Sequence, residues 1–162
     1  MESDHTENQD RKYEVRNLGG GILVQQENND ILKIDELKVV TNTKPTEDTI
    51  KSMLFGWQVL KHVKSNAIIT VKNNTTVGIG AGQVSRIDAV DIAISKSKTA
   101  IKGSILCSDA FFPFRDSIDK ISQYNINGVI QPGGSIKDNE VIDACNEHNI
   151  PMVFTGRRCF KH

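Results

Sequence analysis

The sequence predicts an α/β fold in which a mixed sheet is covered by helices on both faces, and three observations carry that expectation. From Ser104 onward, short apolar runs alternate with amphipathic stretches over short links, the pattern of βαβ crossovers and a largely parallel sheet. In the front half, Asn73-Asn74 supplies a tight turn between two short segments, which suits an antiparallel hairpin. Ala67-Ile68-Ile69-Thr70-Val71 is β-branched and apolar, as a buried strand is.

Taken in order, residues 1–14 are polar and charged and are expected to form a disordered head, with residues 15–162 as the folded domain. Order is expected to begin near Gly19-Gly20-Gly21, a hinge before a buried strand at Ile22-Leu23-Val24. Gln25 to Asp30 reads as a turn, and Leu37 to Thr41 as a second short strand. Thr46 then suits a helix N-cap, with Glu47 and Asp48 placed to complement the helix dipole. Ile50, Met53, Leu54, Trp57 and Leu60 follow at helical spacing, which carries that helix to about Val63. Val77 begins a returning segment that runs into Gly78-Ile79-Gly80-Ala81-Gly82. Ser85-x-x-Asp88 resembles a capping box and opens a helix to about Ser97. Strands at Ser104–Cys107, Val129–Gln131 and Met152–Phe154 then alternate with helices at Phe114–Tyr124 and Asn139–His148.

Composition narrows the class of function. The 162 residues suit one domain, and such a chain buries roughly 70% of its unfolded surface without disulfide or metal staples. Twenty basic residues balance twenty acidic ones, which argues against a protein that tracks a nucleic-acid backbone. No apolar run approaches the ~20 residues that span a bilayer, and the polar N-terminus has no signal-like core. Cys107, Cys145 and Cys159 lack CxxC spacing, so neither a disulfide framework nor a zinc site is indicated. A cytoplasmic protein is expected.

Five segments have residues suited to chemistry. The glycines at 78, 80 and 82 precede a helix, where bare backbone N–H groups can approach a ligand; an equally good reading is a close backbone crossing. Ser108-Asp109-Ala110-Phe111-Phe112-Pro113-Phe114-Arg115-Asp116 leaves a strand end with three phenyl rings and two carboxylates, a slot for a planar heterocycle or a hydrophobic plug. Gln131-Pro132-Gly133-Gly134-Ser135 can present backbone donors, or simply turn from strand to helix. Lys61-His62 invites an acid/base role, although cations at a helix C-terminus also complement its dipole. The tail Thr155 to His162 clusters cations that can hold a phosphate or remain solvated.

The wording and order of these segments go further. HVKSNAI, GIGAGQVSR, SDAFFPFRD, IQPGGSIKD and FTGRRCFKH resemble, in this order, segments of the bifunctional AICAR transformylase/IMP cyclohydrolase family. They are similar to the C-terminal half of its transformylase region, over about Gly19 to His162. The resemblance implies a three-layer α/β/α fold of cytidine-deaminase-like type and a role in de novo purine biosynthesis. The reaction it implies is formyl transfer from the cosubstrate 10-formyltetrahydrofolate to the amine of AICAR, in an intertwined homodimer. By the same resemblance Asn66 orients the reacting amine, Arg86 reaches AICAR across the dimer, and Phe111 contacts both ligands. Arg158 binds AICAR, while Ile87, Asp116, Ser135 and Ile136 contact the folate. Family members also hold a monovalent cation near the equivalents of Ser65 and Asp109; no catalytic metal is implied.

One departure bears on activity. The family's acid/base pair lies in a Lys-His-x-x-Pro-x-Gly motif of the other transformylase half, and neither that motif nor Arg-Tyr-Gly-Glu-Asn-Pro occurs here. Lys61-His62 lacks the following proline and glycine, so the catalytic role does not transfer to it. The expectation is therefore a subunit or fragment whose partner is a second copy or a chain carrying the missing half. The alternative is a non-catalytic folate- or nucleotide-binding module. A different deaminase-like enzyme is disfavoured, because no His/Cys/Cys zinc set with a PCxxC signature is present.

Overall fold

The computed structural model describes residues 13–162, in two compact units that divide between Asp30 and Ile31. In the first unit, β1 (Tyr13–Leu18) pairs antiparallel with β2 (Gly21–Gln26), and Val15 lies opposite Val24. This corrects three expectations. Tyr13 and Glu14 belong to a strand rather than a disordered head, because Tyr13 and Val15 alternate with Glu14 and Arg16 at the period of a strand. The glycines make the turn of a hairpin, Gly20 at φ +120°, rather than a hinge. The Ile22–Val24 run is a strand, but not a buried one: Ile22 is 68% and Val24 52% exposed, since a two-stranded ribbon buries little by itself. The rest of the expected head 1–14, residues 1–12, lies outside the described residues.

The second unit holds a six-stranded sheet. Its strands are β3 (Lys38–Val39), β4 (Ile68–Lys72), β5 (Thr75–Gly80), β6 (Ile105–Ser108), β7 (Gly128–Gln131) and β8 (Met152–Phe154). They lie in the order β3-β8-β7-β6-β4-β5. The β6, β7 and β8 strands run parallel, as the alternation after Ser104 predicts, and β4 and β5 form the antiparallel hairpin around Asn73 and Asn74. Both asparagines take positive φ, 50° and 53°, the geometry of the primed turns that close hairpins.

Helix α1 (Glu47–Leu60) covers one face. Its Met53, Trp57 and Leu60 pack on Ile69, Val71, Ile105, Cys107, Ile130 and Val153. The other face carries α2 (Arg86–Ser97), α3 (Asp116–Ser122) and α4 (Asp138–Glu147) over Ile68, Leu106, Val129 and Met152. Successive strand residues thus feed opposite layers, which is why these strands read as unbroken apolar runs. The result is the expected three-layer α/β/α arrangement.

Helix boundaries follow local bonding. Thr46 Oγ1 accepts from the Thr49 N–H at 3.2 Å and caps α1 as expected. The helix stops at Leu60 rather than Val63, because His62 and Val63 donate three residues back to Val59 and Leu60, tightening the last turn. Ser85 Oγ accepts from the Asp88 N–H at 3.2 Å and caps α2. Among the described residues, no helix is long and apolar enough to cross a membrane.

All three cysteines are buried and unpaired. Burial pushes the Cys145 thiol up to about 12, and it also raises those of Cys107 and Cys159. The thiolate is the reactive form, so the native protein is expected to resist a disulfide reagent at pH 8 and to react at all three sites once denatured. Rapid colour release from native protein would show that these layers open.

Candidate functional site

The site is built where β4 begins and β6 ends. The chain enters β4 through Ser65 and Asn66, joined by a cis peptide bond, and the Asn66 backbone exchanges 3.2 Å hydrogen bonds in both directions with Gln83. That pairing continues the β4–β5 ladder and sets Asn66 beside the start of α2, where Arg86 is the first residue. Beyond β6 the chain passes through Asp109 to Phe111. The C-terminal segment closes over both: Cys159 N–H donates to the Asp109 carbonyl, while Ser65 and Lys161 bond each other twice.

The result is a cleft of about 370 Å³ in which Asn66, Arg86, Phe111 and Arg158 meet, with Pro113 and Phe160 among its walls. These residues come from four separate stretches of chain. Arg158 stands over the ring of Phe111 at 5.0 Å and that of Phe160 at 5.8 Å, with its guanidinium exposed to solvent. Such stacking holds an arginine without neutralising it, so its charge remains for an anionic ligand. Arg86 is different. Its side chain is 7% exposed and forms an ion pair with the fully buried Asp109 at 2.5 Å. Among the described residues, one cleft therefore carries a cation with no carboxylate partner and a compensated one.

The remaining folate candidates lie outside this lining. Ile87 is half-buried on α2. Asp116 is exposed at the first turn of α3, and its Oδ1 accepts from the Ser117 N–H at 2.7 Å, a local capping bond. Ser135 Oγ accepts from the Lys137 N–H at 3.1 Å, and Ile136 is fully exposed. The three phenyl rings do not form one slot. Phe111 faces the cleft, Phe112 is fully buried as a core plug, and Phe114 is an exposed ring with the Lys137 ammonium 4.4 Å from its centre.

Other segments resolve more plainly. Gly78 and Gly80 are the close crossing rather than a ligand cradle: a Cβ on Gly80 would sit 2.0 Å from the Ala89 carbonyl oxygen. Gly133 is likewise a turn with φ +71° packed on Phe154. Lys61 is the C-cap of α1 and His62 is exposed. The tail is not a solvated end. Cys159 is buried and Phe160 half-buried, because backbone bonds tie them to Ser65 and Asp109. Phe160 was missed for that reason, and the apolar pair Cys159-Phe160 after two arginines was the available signal.

Asp109 is the other residue the sequence underrated. Its Oδ1 is taken by Arg86 and its Oδ2 by the Ala67 N–H at 3.1 Å. Those bonds leave its carboxylate already compensated, a poor fit to the monovalent cation that the resemblance places nearby.

Comparison with known proteins agrees with the wording of these segments. The profile of the AICARFT/IMPCHase bienzyme matches residues 1–96. The chain belongs to the AICARFT/IMPCHase bienzyme family. Two relatives, each called bifunctional purine biosynthesis protein PurH, extend the match almost to the C-terminus. That of Persephonella marina is 52% identical over 161 residues, covering 96% of this chain and 31% of its own length. That of Aquifex aeolicus is 52% identical over 153 residues, covering 93% and 30%. This AICARFT/IMPCHase chain thus spans about 30% of the length of the curated relatives it matches. Among solved structures, Acinetobacter baumannii RibD, form 1, is similar with a TM-score of 0.45 at 11% identity, over 67% of this chain and 34% of that one.

Proposed function

We propose that this chain supplies the second half of the transformylase region of a purine-biosynthetic enzyme, acting in formyl transfer from 10-formyltetrahydrofolate to AICAR. The observation that carries the reading is the convergence of Asn66, Arg86, Phe111 and Arg158 on one cleft, since the four are far apart in sequence. Arg158 offers its uncompensated charge to the phosphate of AICAR, and Phe111 offers a ring to the planar base. Asn66 orients the amine. In the reaction the amine nitrogen attacks the formyl carbon and the bond from that carbon to the folate nitrogen breaks. The amine proton leaves to a base, and the departing folate nitrogen takes one up.

Nothing in this cleft is placed to move those protons. Positioned acid/base groups contribute ~10²–10⁴-fold to such steps, so the chain needs a partner that carries the Lys-His-x-x-Pro-x-Gly half. Asp116, Ser135 and Ile136 belong to a folate-contacting surface in this reading, completed by a second copy or by that partner in the cytoplasm. Orientation is what this half contributes.

The isolated chain is expected to show no measurable transformylase turnover. Adding a folded polypeptide that carries the missing half is expected to restore it, and Asn66→Ala in this chain to reduce the restored rate by about tenfold or more. Turnover by the isolated chain would return Lys61-His62 to consideration as the acid/base pair. Failure of a well-folded partner to restore activity, with AICAR or folate still bound in calorimetry, would instead support the non-catalytic binding module.

A further inference from the structure

Asn66 and Arg86 both line the cleft, yet neither is free to choose its orientation. Asp109 is fully buried and lies behind them. Its Oδ1 accepts from Arg86 Nη1 at 2.5 Å, and its Oδ2 accepts from the Ala67 N–H at 3.1 Å, one residue beyond Asn66. Arg86 Nη1 also donates to the Ala67 carbonyl at 3.0 Å, and Nη2 donates to Asn66 Oδ1 at 3.0 Å. Asn66 Nδ2 then donates to the carbonyls of Gln83 at 3.0 Å and Val84 at 3.2 Å.

An asparagine amide has two orientations of nearly equal shape and opposite hydrogen-bonding sense. Flipping Asn66 would turn its NH₂ toward the Arg86 guanidinium and its oxygen toward two carbonyls, exchanging three bonds for three repulsive contacts. Two of those contacts come from backbone carbonyls, and the third, the only one made by a side chain among these partners, comes from Arg86 and holds only while Arg86 stays in place. A buried guanidinium needs a compensating charge, and Asp109 is the carboxylate that provides one.

We infer that Asp109 is a positioning residue that, through Arg86, locks the Asn66 amide with its oxygen available to the ligand. Both hydrogens of Nδ2 are spent on backbone carbonyls, so Asn66 meets a ligand as an acceptor only. That polarity suits an N–H donor such as the amine of AICAR. The inference rests on the formyl-transfer reading of the cleft for its ligand, but the lock itself does not.

The test follows the Asn66 side-chain amide by NMR in the full chain, with AICAR as the probe ligand. In the wild type its two protons should exchange with solvent at least tenfold more slowly than those of the exposed Asn17. Asp109→Asn keeps the shape but removes the charge, and Arg86→Lys keeps the charge but removes the planar fork. Each should move the Asn66 pair toward the shifts of mobile amides while the backbone dispersion persists. Each should weaken AICAR by about tenfold, the worth of one well-placed hydrogen bond. An Asn66 pair that exchanges freely in the wild type, or stays unmoved in either folded variant, overturns the lock whatever AICAR does. A released Asn66 with unchanged AICAR affinity overturns its link to the ligand. Absence of AICAR binding by the wild type counts against the formyl-transfer reading, and the amide spectra still decide the lock.

Discussion

Asp109→Ala is expected to destabilise the chain by about 3–5 kcal/mol, the range for breaking a buried ion pair from one side. The substitution leaves the Arg86 guanidinium with no carboxylate in a site where its side chain is 7% exposed. It also leaves the buried Ala67 N–H without its acceptor. Arg86→Met alone should cost less, because an apolar side chain fills part of the space and Asp109 keeps the Ala67 N–H. The double variant Asp109→Ala/Arg86→Met is expected to be more stable than Asp109→Ala, since the charge that needed a partner has gone. Urea unfolding of the four proteins measures this as a coupling energy in a double-mutant cycle. Purely additive losses would mean that the two groups do not sense each other, and the interior of the site would need a different account.

The fold was legible wherever a strand is buried on both faces and a helix on one. The runs at Ile68–Val71, Ile105–Cys107 and Val129–Ile130 are short and largely apolar because each feeds both core layers, and their composition marks them as strands. Capping was legible for the same local reason: Thr46 and Ser85 each accept a bond three residues ahead. The β1–β2 hairpin was half legible. Its second strand shows as an apolar run, but the first carries only Tyr13 and Val15 among charged neighbours, and its partner strand supplies the rest.

The site was legible as a set of segments and opaque as a geometry. Asn66, Arg86, Phe111 and Arg158 could be singled out one by one, but periodicity says nothing about which loops meet at the end of a sheet. Asp109 shows why. In sequence it is a carboxylate in a loop beside three phenylalanines, and a ligand contact was the natural reading. In the fold its two oxygens are directed at Arg86 and Ala67, away from solvent. That role depends on a residue 23 positions away, so no local pattern encodes it. Phe160 was hidden similarly, because the backbone bonds of its neighbours Cys159 and Lys161 hold the tail against the cleft.

Gly80→Val is expected to be the most disruptive change in the glycine-rich segment, costing about 3 kcal/mol or more, above the usual range for overpacking. A side chain here meets backbone, with a Cβ 2.0 Å from the Ala89 oxygen and 2.8 Å from its carbonyl carbon. Two residues earlier on the same face, a Cβ at Gly78 would lie 2.2 Å from the Ala93 oxygen and 2.3 Å from Ser97 Oγ. Ala89, Ala93 and Ser97 are one helical turn apart, so a row of small residues on α2 rests directly on bare β5 backbone. A flexible side chain could swing away; this helix can only move as a body, and it begins with Arg86. The loss of stability should therefore come with a disturbed cleft, seen as weaker AICAR binding in any Gly80→Val protein that still folds. Gly82→Ala separates steric from conformational effects. Its φ of +67° is unfavourable for alanine, but the nearest atom is a Lys64 side-chain carbon at 3.7 Å, so the expected cost is only about 1–2 kcal/mol. Equal denaturation midpoints for Gly80→Val and Gly82→Ala would argue that α2 does not lie on β5 as closely as these distances require.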